Sequence, residues 1–576
     1  MKTGWMRFKQ SARLFAALFA MLLLAGGHIR AASAATTSVF PEIYVECVGD
    51  LGVCSSKIGV WEYGKYATLF LPSYFDGRVV LTYGDKLCGV EIDGQSVQSG
   101  EEIRLEVATE GHTIRYQRRT LQLRVLKSAL LPTIFITTES GEFDLIHAST
   151  KYKEPGSVAS YDEAGGLTLS SELEHVKGRG NSSFMRPKKP YQIKFLEKTS
   201  LFGMEKAKKW VLLANYKDRT LIRNQIVFGA ARYLGDPYAS SDAYADLYVN
   251  TRYMGTYEIS GKVEIAGNRI DVRDLEKETE ALNELPLSEY KRFGRFKAER
   301  GSSKGYQIPN DPQDITGGYL IEFEKSYHYE QEKSGFVTKR GQCFVIKSPE
   351  FASQAQVAYI SGLIQRLENA IYAADGRDPE TGLHYSEMAD LDSMAREFLM
   401  EEVFKNYDAN KSSQFIVKPA DSEGCRLFFG PVWDFDLSMG DWCDNADNRH
   451  IASPKRLYAA NGNGWLPTLY KQRDFYERVI RMYYEELAPY LKAVLGEAPQ
   501  ADIPVLEERY EMLRASADMN YLRWPSFDSA SWPVDTGRSF EANYAYLRAW
   551  LEQRMEYLDT IWLSDYQTLS AKAEEY

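Results

Sequence analysis

Phe404-Lys-Asn-Tyr-Asp-Ala-Asn-Lys-Ser-Ser-Gln-Phe-Ile-Val-Lys418 and, after a short turn, Leu427-Phe-Phe-Gly-Pro-Val-Trp-Asp-Phe-Asp-Leu-Ser-Met-Gly440 decide the reading of this chain. The spacing puts Asp408 just past a helix and Asp434 and Asp436 just past a strand, with a β-hairpin between them. Phosphoryl transfer needs two carboxylates of this kind, one to accept a hydroxyl proton and one to hold a divalent metal on a nucleotide.

Upstream, the elements that such a site requires follow in order. Gly178-Arg-Gly-Asn-Ser-Ser183 is a glycine-rich turn whose backbone N–H groups, with Arg179, are suited to cradling phosphates. In the strand Lys188-Lys-Pro-Tyr-Gln-Ile-Lys-Phe195, alternation sends Tyr191 and Ile193 to one face and Lys194 to the other, where a lysine could reach a nucleotide. Trp210-Val-Leu-Leu reads as a buried strand. Asp218 is a good N-cap for a helix from about 219 to 234, which Gly235-Asp-Pro stops. A hairpin follows, turned at Asn250-Thr-Arg. Residues 277–312 are charged and lack apolar periodicity, and are expected to form a surface insertion. Gly317-Gly-Tyr-Leu-Ile-Glu-Phe-Glu324 and Cys343-Phe-Val-Ile-Lys347 resume the sheet. Beyond about Ser353 the pattern is helical, including 392–406, 474–495, 503–517 and 540–563.

The 576 residues suggest roughly three or four structural units. Residues 36–128 alternate apolar and polar positions between turn signals, as an immunoglobulin-like β-sandwich would, and such a module presents or anchors its neighbour. At the start, Lys2, Arg7, Lys9 and Arg13 precede an apolar run, Leu14 to Ala25, and small residues ending at Ala34. This is the pattern of a secretory signal peptide over 1–34, too short in its apolar part for a comfortable membrane span. Its removal, with Arg30, takes the net charge from −11 to −16, a poor balance for nucleic-acid binding. Six cysteines do not make a disulfide framework, although Cys47 and Cys54 are close enough to bridge; the pairing is open. With no C-x-x-C and scattered histidines, no zinc site is expected.

Taken in order, Arg179-Gly-Asn-Ser, Lys189-Pro-Tyr-Gln-Ile-Lys-Phe, Lys209-Trp-Val-Leu-Leu-Ala-Asn-Tyr, Leu221-Ile-Arg-Asn, Tyr248-Val-Asn-Thr-Arg-Tyr-Met-Gly-Thr-Tyr, Gly317-Gly-Tyr-Leu-Ile-Glu, Asn406-Tyr-Asp and Gly430-Pro-Val-Trp-Asp-Phe-Asp resemble the spore-coat CotH-type kinases, atypical secreted protein kinases, over about 131–565. The resemblance implies an α+β, kinase-like two-lobed fold behind the sandwich, with a first lobe over about 131–350 and a helical second lobe over about 353–565. It also implies ATP with Mg²⁺ or Mn²⁺, and a serine or threonine of an exported protein as acceptor, with a cell-surface or spore-coat partner for the N-terminal domain. Carried over, Asp408 is the proton acceptor and Asp434 the metal ligand, with Asp436 as an added ligand or a cap of the next turn. Gly178, Arg179, Gly180, Asn181, Ser182 and Lys194 would surround the nucleotide. Two departures from ordinary kinases stand out. The helix after Asp218 contains no glutamate, so a partner for the nucleotide-site lysine must come from Glu258, Glu264 or Glu322. Ser413 occupies the position of the usual metal-binding asparagine, which leaves Asn410 as the nearest amide. The rival readings are an inactive binding scaffold on the same fold and a glycosidase carboxylate pair.

Overall fold

A computed structural model describes residues 39–49, 52–424, 426–441, 450–525 and 539–574. The expected signal segment lies outside the described residues, as do Cys425 and Cys443. The architecture is α+β.

The N-terminal part is all β. Ile43–Gly49 pairs antiparallel with Arg78–Tyr83 in a five-stranded sheet, and Tyr66–Leu71 runs parallel to Arg119–Lys127 in a six-stranded one. The inward positions of both sheets, among them Ile43, Val45, Leu69, Leu81, Leu123 and Val125, form one buried core. Burial of each such side chain favours folding by about 1.5–3 kcal/mol. This core continues into the next unit. Phe70 stacks on Tyr253 with ring centroids 4.7 Å apart, and the Tyr248 hydroxyl donates to the Phe70 carbonyl at 2.8 Å.

The second unit is a closed barrel. Its strands run Thr133–Thr138, Glu154–Tyr161, Leu167–Gly178, Tyr191–Thr199 and Ala207–Leu213, then Arg252–Gly261 and Asp242–Val249, the last returning parallel to the first. Ile134, Val176, Tyr191, Ile193, Trp210, Leu212 and Ile259 fill the interior. The helix Arg223–Tyr233 interrupts the barrel between Ala207–Leu213 and Asp242–Val249, and it begins later than the sequence suggests. Leu221 takes a left-handed conformation (φ 62°), and Asp218 serves a widened turn, accepting from the backbone N–H groups of Thr220 and Arg223 at 2.9 Å each.

A seven-stranded sheet follows, in the spatial order Arg292–Gly294, Ser303–Tyr306, Ser334–Val337, Cys343–Ser348, Tyr319–Glu324, Phe415–Lys418, Phe428–Phe429. The hairpin between the two carboxylate stretches therefore belongs to this sheet. The surface insertion expected over 277–312 needs correction, because two of these strands lie within it. Its Tyr306 and Ile308 are buried, and buried Lys304 donates to the Glu332 carbonyl at 2.9 Å. Short edge strands carry charged residues that deter pairing with other chains, so their composition imitates a loop.

Helices complete the fold. Gln354–Tyr372 starts with a reciprocal cap, Ser353 with Gln356, and Leu391–Val403 with Asp390 accepting from the Ser393 N–H. Arg473–Met482 runs through a π-helical turn, Tyr483–Leu487, into Ala488–Leu495; Leu506–Arg523 and Phe540–Glu574 follow. Among the described residues no helix is long and apolar enough to cross a membrane.

Candidate active site

The helix Leu391–Val403 buries Met394, Phe398, Leu399 and Val403, and ends where Lys405 turns left-handed (φ 49°), which delivers the chain to Asp408. There the two carboxylate stretches join directly: the Met439 N–H donates to the Phe404 carbonyl at 2.7 Å and the Tyr407 N–H to the Leu437 carbonyl at 3.0 Å. Asp434 lies at φ 67°, a left-handed conformation that non-glycine residues rarely adopt and that is often retained at functional positions.

Asp408, Asp434 and Asp436 share a cleft of about 320 Å³ with Arg179, Lys217, Lys262, Lys325 and Lys347. The Lys325 ammonium lies 2.7 Å from Asp408 Oδ1; burial disfavours its charge, but the carboxylate prevails and holds its pKa above the usual range. The Ser413 hydroxyl donates to Asp434 Oδ2 at 3.3 Å. The Asp434 carboxyl is open to solvent within the cleft, yet protein encloses it on most sides. This enclosure raises its pKa, and the charge of Asp408 raises it further, while Lys217 and Arg179 oppose the rise. Asp436, half-buried behind it, is pushed to about 8 by the same enclosure and by Asp434.

Gly180, Asn181 and Ser182 line the cleft with Arg179, and Lys217 donates to the Ser182 hydroxyl at 3.3 Å. Gly180 sits at φ 86°. Gly178 lies behind the turn, where a Cβ would stand 2.2 Å from the Phe184 ring. The Arg179 guanidinium lies 5.9 Å from the Trp433 ring centre; burial lowers its pKa and Asp434 and Glu322 oppose the change.

Two of the expected residues stand apart. Lys194 does project opposite Ile193, but on the barrel's outer wall, where its ammonium pairs with Glu174 at 2.7 Å away from the cleft. The Asn410 amide is committed to the segment 459–466: Oδ1 accepts from the Leu466 N–H at 3.1 Å and Nδ2 donates to the Ala459 carbonyl at 3.3 Å.

Of the three candidate glutamates, Glu258 is buried against Asn215 at 2.7 Å, and Glu264 pairs with Lys209 at 2.6 Å. Glu322 reaches the cleft and faces Lys347 at 3.3 Å across neighbouring strands. Burial pushes Glu322 up to about 7 against the pull of Lys347. Burial likewise disfavours the Lys347 charge, but Glu322 and Glu332 more than offset it and its pKa is raised. This ion pair joins two neighbouring strands of one sheet.

The donor set suits a hard dication. Asp434 and Asp436 offer carboxylate oxygens on a floor where Asp434 disfavours the charge of Asp436 and Asp408 that of Asp434, a conflict that a bound cation would relieve. Among the described residues no group of three or more His, Cys, Asp or Glu side chains could hold a metal unaided. Such a cation would need further oxygens from phosphates and water, as magnesium commonly takes. Sequence reasoning missed Lys217, Lys262, Lys325 and Lys347. Lys325 follows and Lys347 lies within strands that were legible, but alternation does not say which strand ends face a cleft.

No curated protein matches the chain. The family described as CotH kinase protein matches residues 176–558, well over half of the chain and all of the cleft residues named above. The chain belongs to the CotH kinase protein family.

Proposed function

We propose that the chain is an exported protein kinase that transfers the γ-phosphoryl group of ATP to a serine or threonine hydroxyl of an exported, spore-coat or cell-surface protein, on a two-lobed kinase-like fold with the cleft between the lobes. The single observation that carries this reading is the meeting of Asp408 and Asp434 in one cleft with four lysines and an arginine, in a chain whose net charge is −11. Local positive charge in an acidic protein is what a polyphosphate requires.

In this reading Lys325 occupies Oδ1 of Asp408 and leaves Oδ2 to accept the acceptor hydroxyl's proton. Arg179, Lys217, Lys262 and Lys347 face the phosphates, and the backbone of the Gly180 turn covers them. Mg²⁺ or Mn²⁺, held by Asp434 with Asp436, would neutralise phosphate charge. The signal-peptide pattern at 1–34 supports export.

The test is phosphate transfer from labelled ATP, with Mg²⁺ or Mn²⁺, to the protein itself or to a generic acceptor. Asp408→Ala and Asp434→Ala should each abolish transfer. Equal transfer by wild type and both variants would sink the assignment, and failure of the wild type to bind nucleotide would favour a binding scaffold on the same fold.

A further inference from the structure

The Leu221-Ile-Arg-Asn stretch has no part in the chemistry above, yet two of its side chains grip the metal-site turn. Asn224 is 3% exposed, and its Oδ1 accepts from the Phe435 N–H at 2.8 Å, the peptide group between Asp434 and Asp436. Its orientation is set from behind, where Nδ2 donates to Glu258 Oε2 at 3.3 Å and to Asn215 Oδ1 at 3.5 Å. Arg223 is fully buried; its Nε donates to the Ser438 carbonyl at 2.9 Å and its Nη1 to Asp218 Oδ1 at 2.5 Å. The Ser438 hydroxyl returns to the Phe435 carbonyl at 2.7 Å, which closes the turn on itself. Asp434 is left-handed and the backbone there has few alternatives, so a donor–acceptor pair on the next peptide fixes the direction of both carboxylates.

We propose that Asn224, seated on Glu258 and Asn215 and backed by Arg223, is the positioning residue of the metal site. The helix Arg223–Tyr233 thereby acts on the site through the turn that carries the metal ligands, instead of through a glutamate. This rests on the kinase reading, because it presupposes a cation at Asp434.

The experiment measures Mn²⁺ binding by electron paramagnetic resonance in the presence of adenosine β,γ-imidotriphosphate, using the full chain. Binding of the same analogue in EDTA and near-UV circular dichroism are followed alongside. Asn224→Ala is expected to weaken Mn²⁺ about 10- to 100-fold, with metal-free analogue binding changed less than about twofold. Asn224→Asp keeps an acceptor oxygen but turns an oxygen toward Glu258 Oε2 and Asn215 Oδ1, where Nδ2 had donated, so it too is expected to weaken Mn²⁺ about 10-fold or more. A purely structural role would lower both binding modes together. Unchanged Mn²⁺ affinity in Asn224→Ala overturns the inference, as does unchanged affinity in Asn224→Asp, the deciding variant if the alanine form does not fold. Absence of Mn²⁺-dependent analogue binding in wild type overturns the kinase reading and this inference with it.

Discussion

Asp236 offers a quantitative test of how the strand before Asp434 is held. It is buried, its Oδ1 accepts from the Tyr238 N–H at 2.9 Å, and the Val432 N–H also reaches it. Its Oδ2 is buried without a hydrogen-bond partner. Burial pushes the carboxyl from 3.8 to about 6, against the pull of Arg396 and the two N–H groups. The folded pKa is raised, so between about pH 4 and 6 the native state holds a proton that the unfolded state has released. Its contribution to stability is therefore fully present below 3.8 and is lost as pH rises through 6, by up to about 3 kcal/mol. Asp236→Asn keeps the shape and one acceptor oxygen but cannot ionise. Its thermal midpoint should nearly match that of wild type toward pH 4 and exceed it by up to about 2–3 °C at pH 8. An offset that stays constant with pH, or a variant less stable at pH 8, would refute the reasoning.

Two further predictions concern charge. Lys347→Met removes a charged contact worth about 1.5–3 kcal/mol, so KM for ATP should rise roughly 10- to 100-fold in a steady-state transfer assay, while Lys194→Met on the outer wall should stay within about twofold of wild type. Arg554 is fully buried and donates to Glu402 Oε1 at 2.7 Å and to the Val403 carbonyl at 3.1 Å, at the end of the helix that leads to Asp408. Arg554→Met leaves the buried Glu402 without this counter-charge, held by the Tyr458 and Ala460 N–H groups, so it should cost about 3 kcal/mol, visible as a lower thermal midpoint and faster limited proteolysis.

Much of the fold was legible because local periodicity carries it. Met394, Phe398, Leu399 and Val403 announce the helix before Asp408, and alternation in Tyr191-Gln-Ile-Lys assigns Ile193 to a core and Lys194 to the opposite face. What alternation cannot state is where that opposite face leads. In a closed barrel it is the whole outer wall, and only part of that wall meets the cleft. Barrel closure was illegible for a related reason, since the parallel pairing of Thr133–Thr138 with Asp242–Val249 joins segments far apart in sequence. Asn410 misled because a polar residue near an aspartate reads as a ligand until its two amide bonds to other loops are seen. The roles of Arg223 and Asn224 were equally hidden, because a helix with buried polar residues on its first turn shows no apolar stripe there.

Barrel closure also bears on where the chain can be cut. The family match begins at residue 176, inside the strand Leu167–Gly178, whereas Thr133–Thr138 and Glu154–Tyr161 precede it and complete the ring. A fragment begun at the matched boundary would lose two staves and most of a third. Asp242–Val249 would then keep a free edge able to recruit a second copy, an invitation to aggregation. Starting just before Leu131 would restore the ring but bare Tyr248 and Tyr253, which Phe70 and its neighbours now cover. A truncated form that keeps the ring closed and these aromatics covered therefore has to retain both the sandwich and the family-matched portion.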